Sequence, residues 1–96
     1  MFENDIVTLN EEGMRILLNE ELTLKANILL KLINIYRARI IKIENDGYVR
    51  ITILGDNYPK DMFEENNFGV PMSILKVVEV DDGFAEKSFY LRRNLR

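Results

Sequence analysis

The sequence predicts a mainly β protein of the α+β class, about five strands with one helix placed after the first, and three observations predict it. The run "ARIIKIENDGYVRITIL", residues 38–54, has two β-branched arms around Asn45-Asp46-Gly47 and reads as a hairpin. Further on, "FGV" and "KVVEV" are short apolar runs separated by one tight turn that begins at Pro71. Helical periodicity is confined to "NEELTLKANILLKLINIY". At 96 residues the chain is read as a single domain, 1–96, long enough to bury one modest core.

In chain order, Ile6 to Leu9 is the first strand, entering a turn at Glu11 to Gly13. A second reading of the same residues starts a helix near Leu9, because Thr8 and Glu11 fit a capping box, although Gly13 weakens it. The amphipathic helix, about residues 20–35, is expected to be capped by Asn19, with Glu20 and Glu21 at its positive end. Its core stripe is Leu22, Ala26, Leu29, Ile33 and Tyr36; Thr23, Asn27, Lys31 and Asn34 form the wet face.

For the hairpin, a two-residue Asp46-Gly47 turn mixes apolar and charged residues on one face. A three-residue loop with Gly47 left-handed pairs Ile43 with Val49 and Ile41 with Ile51. The core face is then Ile41, Ile43, Val49, Ile51 and Ile53, with Lys42, Glu44, Tyr48, Arg50 and Thr52 on the solvated face. "DNYPKDMFEENN" is a long acidic loop, and Asp81-Asp82-Gly83 a turn. "EKSFYLRR" is left open between edge strand and helix.

The order "DIVTL", long excursion, hairpin, acidic aromatic loop, "FGV", "PMSIL" and "KVVEV" resembles the SH3-like barrel superfamily, small barrels similar in shape to KOW and Tudor domains. In that fold a one-turn helix separates the last two strands, as "VPMSILKVV" does in character. The resemblance covers roughly residues 4–80 and implies an SH3-like small barrel with the 20–35 helix inserted and a basic C-terminal extension, 84–96. It implies a binding module. The "ALYDY" signature of the eukaryotic peptide groove is absent, so proline-rich ligands are not implied.

Composition removes whole classes of chemistry. With neither His nor Cys there is no thiolate site, no imidazole ligand and no neutral-pH base. Phosphate-binding, nucleotide-binding, nucleophile-elbow and zinc-protease motifs are missing, and Ser73 and Ser88 have no histidine to activate them. The acid pairs Asp56/Asp61, Glu64/Glu65 and Asp81/Asp82 read as solvated loop residues. A calcium loop from Asp56 fails, since Tyr58 and Lys60 occupy ligand positions and Asp61 the glycine position. The expectation is a protein that is not an enzyme and holds neither cofactor nor metal.

The opening "MFENDIVTLNEEG" lacks the order of a signal peptide and no apolar run approaches the roughly 18 residues of a membrane span, so a cytoplasmic setting without membrane contact is expected. Net charge is −3, divided between an acidic body and a basic end carrying Lys87, Arg92, Arg93 and Arg96. Abundant Asn and Ile with three Ala fit an AT-rich genome, that of a low-GC bacterium or its phage, and together with the small size the expectation is an accessory protein of a phage or mobile element.

Two partners are expected of such a module. A protein partner is met by aromatic and thioether anchors set among charges, Tyr58, Met62, Phe63 and Phe68, although Phe68 and Phe63 also suit barrel closure. The alternative is a nucleic-acid- or ribosome-associated module using Arg37, Arg39, Tyr48, Arg50, Arg92, Arg93 and Arg96. By simple strand alternation Arg37 and Arg39 share one side and Lys42 lies on the other, so these cations make no single patch. An apolar stripe on the 20–35 helix wider than the barrel covers would bind a second copy or another protein.

Overall fold

The computed structural model describes residues 1–19, 21–55 and 58–79. Strand β1 (Ile6–Leu9) leads into helix α1 (Glu11–Leu17) and helix α2 (Leu24–Tyr36). Then come β2 (Ala38–Ile43), β3 (Tyr48–Ile53), β4 (Phe68–Pro71), a 3-10 turn (Met72–Ile74) and β5 (Leu75–Glu79). All ladders are antiparallel, in one five-stranded sheet of order β4-β3-β2-β1-β5. The expected α+β class and the single turn between the last two strands are present. Closure is not: among the described residues β4 and β5 are the two edges, and no ladder joins them into a barrel.

The sheet carries the core on one face. Val7, Ile40, Val49, Ile51 and Ile53 are essentially sealed from solvent, with Ile33 of α2 against them and Phe68, Ile74 and Leu75 closing the end. Each fully buried side chain of this size stabilises the fold by about 1.5–3 kcal/mol relative to an exposed one.

The stretch after β1 corrects the first reading. Glu11 to Gly13 is the first turn of α1, and the cap is Asn10, two residues beyond Thr8. The Asn10 carboxamide oxygen accepts from the Gly13 N–H at 2.9 Å, while its Nδ2 donates to Ser73 O at 2.8 Å and Leu75 O at 3.3 Å. One side chain therefore caps α1 and ties it to the entry of β5. Gly13 is required by proximity: a Cβ there would stand 2.5 Å from the carbonyl oxygen of Ile74.

Helix α2 also starts later than predicted, with Thr23 as N-cap accepting from Ala26 N at 3.2 Å. Asn19 instead accepts from the Glu21 N–H at 3.0 Å, and Glu20 lies outside the described residues. Of the predicted stripe Ile33 is fully buried, Leu22, Ala26 and Leu29 are half-buried, and Tyr36 is exposed; Leu30 is buried in its place. Apolar residues surround this helix so densely that periodicity alone leaves its inner face undefined. The helix stops at Arg37, whose φ of 67° and ψ of 173° fall in a region that glycine alone adopts without strain. The fold holds it there through Arg37 N to Ile33 O (2.9 Å) and Leu54 N to Arg37 O (3.1 Å).

The hairpin loop is as predicted. Gly47 has φ +84°, Glu44 N donates to Tyr48 O at 2.9 Å, and Ile43 pairs with Val49. Beyond that pair the register shifts, with Lys42 opposite Arg50 and Ile40 opposite Ile51, leaving Ile41 as the extra residue of a β-bulge. The predicted pairing of Ile41 with Ile51 is thereby overturned. Ile41 turns outward, 40% exposed, and Ala38 and Ile40 take the core positions.

Candidate functional site

Residues 58–67 carry the chain from β3 to β4, and their own backbone and amides shape them. Pro59 O accepts from both Met62 N and Phe63 N at 3.1 Å, making a tight turn. At the far end the Asn66 carboxamide acts as an extra strand residue: Ile53 N donates to Asn66 Oδ1 at 2.7 Å, and Asn66 Nδ2 donates to Ile53 O at 2.8 Å. Asn67 is held from the side, accepting from Arg50 Nε at its Oδ1 (2.8 Å) and from an Arg50 terminal nitrogen at its backbone oxygen (3.3 Å).

Between this loop and the first turn of α2 opens a cleft of about 510 Å³. Phe68 lies at its base, in the core, with Phe63 edge-on to it, ring centroids 4.9 Å apart and planes at 83°. Met62 and Phe63 are the half-exposed apolar lining. Lys25 and Lys60 line it together with Asp61, Glu64 and Glu65, so the cleft surface is more polar than apolar and carries charge of both signs beside Met62 and Phe63. Of the four predicted anchors, the structure brings Met62, Phe63 and Phe68 together at the cleft. Phe68 is only 9% exposed and serves closure, while Tyr58 is half-buried and does not line the cleft. Sequence reasoning missed Lys25, distant in the chain, and the Asn66-Asn67 clamp; the doubled Asn immediately before "FGV" was its only signal.

The predicted cations fall differently from the expectation. Arg37 is a helix cap, not a strand residue, and its guanidinium reaches Glu79 of β5 at 3.6 Å, both side chains exposed. Arg39 pairs with Thr52 and Lys42 with Arg50, which places these side chains together on the outer sheet face; the bulge at Ile41 reverses the alternation that was expected to separate them. Tyr48, 47% exposed, continues that face opposite Pro71. Arg92, Arg93 and Arg96, the Asp81-Asp82-Gly83 turn and the "EKSFYLRR" segment lie outside the described residues.

Among the described residues no cluster of three or more His, Cys, Asp or Glu is arranged to hold a metal ion, and no helix is long and apolar enough to cross a membrane. Compared with models of known protein families, with curated proteins and with solved structures, the chain finds no match.

Proposed function

We propose that this chain is a non-enzymatic binding module, an SH3-like small barrel in which α1 and α2 fill the first long connection, and that it docks on a protein partner through the cleft between the 58–67 loop and α2. The barrel assignment is supported by the run of antiparallel neighbours from β5 through β1 to β4 and by the 3-10 turn between β4 and β5. The docking assignment rests on one observation: half-exposed Met62 and Phe63 join buried Phe68 in a cleft lined by charge of both signs. Interfaces concentrate their energy in a few apolar and aromatic anchors that become desolvated on binding, and use surrounding charge for register and selectivity. Three acids against two lysines in the lining favour a partner segment whose apolar anchor is flanked by basic residues. A sequence without His or Cys and with the composition of an AT-rich genome supports a cytoplasmic accessory protein of a phage or mobile element, modulating a host or structural protein.

The test is affinity capture from a low-GC bacterial lysate with the wild-type chain and with Met62→Glu, whose half-exposed position allows the fold to be retained, as checked by circular dichroism. The expected result is a stoichiometric protein that survives nuclease and high salt with the wild type and is lost with the variant. Equal recovery by both, or recovery that collapses with nuclease, contradicts the proposal.

A further inference from the structure

The outer face of the β2–β3–β4 region brings like charges together. Lys42 and Arg50 are direct cross-strand partners, and like charges so placed repel and destabilise a sheet. Neither has an acidic partner among the described residues. The Arg50 guanidinium is instead fixed by neutral groups: Asn67 holds two of its nitrogens, and a third lies 3.0 Å from where a Cβ on Gly69 would stand, so the plane rests over a glycine that leaves room for it. Arg39 belongs to the same face because of the Ile41 bulge and is held by donation to Asn4 O at 3.2 Å. Exposed Tyr48 lies two residues before Arg50 along β3.

At about 3.3 Å per residue, the row from Tyr48 past Arg50 and Lys42 to Arg39, opposite Thr52, is about 13 Å long. One exposed ring and three cations, two of them held by hydrogen bonds, in a row of that length match the chemistry of a short single strand: a base face to stack, then successive phosphates. We infer that this sheet face binds single-stranded nucleic acid over roughly two to three nucleotides, with Tyr48 as the stacking platform and Arg39, Lys42 and Arg50 as phosphate contacts. The overall negative charge does not oppose this. The near acid is Glu44, two residues beyond Lys42 at the Tyr48 end of the row; the acids around the cleft belong to the loop beyond β3, and at physiological salt exposed charges more than about 8–10 Å away are largely screened. The site is separate from the proposed protein cleft, though Arg50 touches both through Asn67.

The test is fluorescence anisotropy of a labelled twelve-residue oligouridylate with the full-length chain at 50–200 mM salt, with a duplex of the same length in parallel. Three phosphate contacts give a slope of log K against log salt of about −2, hence roughly twenty-fold weakening over that range. Lys42→Gln is expected to lower the slope by about 0.7 and Arg39→Gln with Lys42→Gln by about twice that. Tyr48→Leu should weaken binding about tenfold while leaving the slope unchanged. All three positions have solvent-facing charge or ring, so each variant is first matched to the wild type in melting temperature. No binding at 50 mM salt, a preference for the duplex, or binding unaltered in the Arg39/Lys42 variant but lost when Arg92, Arg93 and Arg96 are changed to Gln overturns the inference; the last outcome assigns the contact to the C-terminal segment.

Discussion

Gly13 lies in the first turn of α1, and within helices alanine is ordinarily favoured over glycine, by up to about 1 kcal/mol in an interior. Here the added methyl meets the Ile74 carbonyl oxygen, and backbone cannot move aside as a side chain tip can. Gly13→Ala is therefore expected to destabilise by about 2 kcal/mol in urea unfolding, the size of an overpacked core; an increase in stability would refute the close approach of α1 to the 3-10 turn. Arg37 has the opposite sign. Its strained backbone costs about 1–3 kcal/mol, glycine returns part of that as unfolded-state entropy, and the exposed Glu79 pair contributes little, so Arg37→Gly should raise stability by about 1 kcal/mol where Arg37→Ala does not. For Asn66, replacement by Ala leaves both the N–H and C=O of Ile53 unpaired in a part-buried site, an expected loss of about 2 kcal/mol, and Asn66→Asp retains the acceptor half alone. Thermal melts of the pair separate the two bonds.

Among the elements, the hairpin was the most legible in the sequence, because Gly47 and the flanking β-branched arms specify turn and first pair independently of the rest of the chain. The bulge at Ile41, two residues before that pair, was not. Ile40, Ile41 and Ile43 are equally apolar, so the alternation that reports a register slip has no contrast to show it; Arg39, before the slip, is therefore read on the wrong side, whereas Lys42, after it, lies on the solvated face beside Arg50 as expected. Helix α1 was half legible: its capping residue type was present, but Gly13 argued against a helix until the contact that demands it was visible. Similarly, the loop after β3 showed its anchors as residue types, whereas Lys25 joins them only through tertiary packing of α2. The bulge makes an element-scale prediction. In amide exchange, the two faces of β2 should differ in protection on either side of Ile41, with Ile40, bonded to Asp5 O at 3.0 Å, among the slow amides; uniform protection along 38–43 would argue for an unbroken strand.

At the scale of the whole molecule, one core organises two surfaces that differ in chemistry. The cleft joins the β3–β4 loop to α2 with Met62 and Phe63 in its lining, and the outer sheet face gathers cations on β2 and β3. The binding proposed for each makes a different demand on salt, since an aromatic-centred protein interface persists where phosphate contacts weaken. Apolar side chains remain exposed elsewhere, notably Leu18, Leu24 and Ile35, the last two on α2. The most direct test of the docking claim is hydrogen exchange on the chain with its captured protein partner bound. New protection is expected in residues 60–68 and at the start of α2, with residues 39–52 unchanged. Protection confined to 39–52, with 60–68 exchanging as in the free chain, would contradict it.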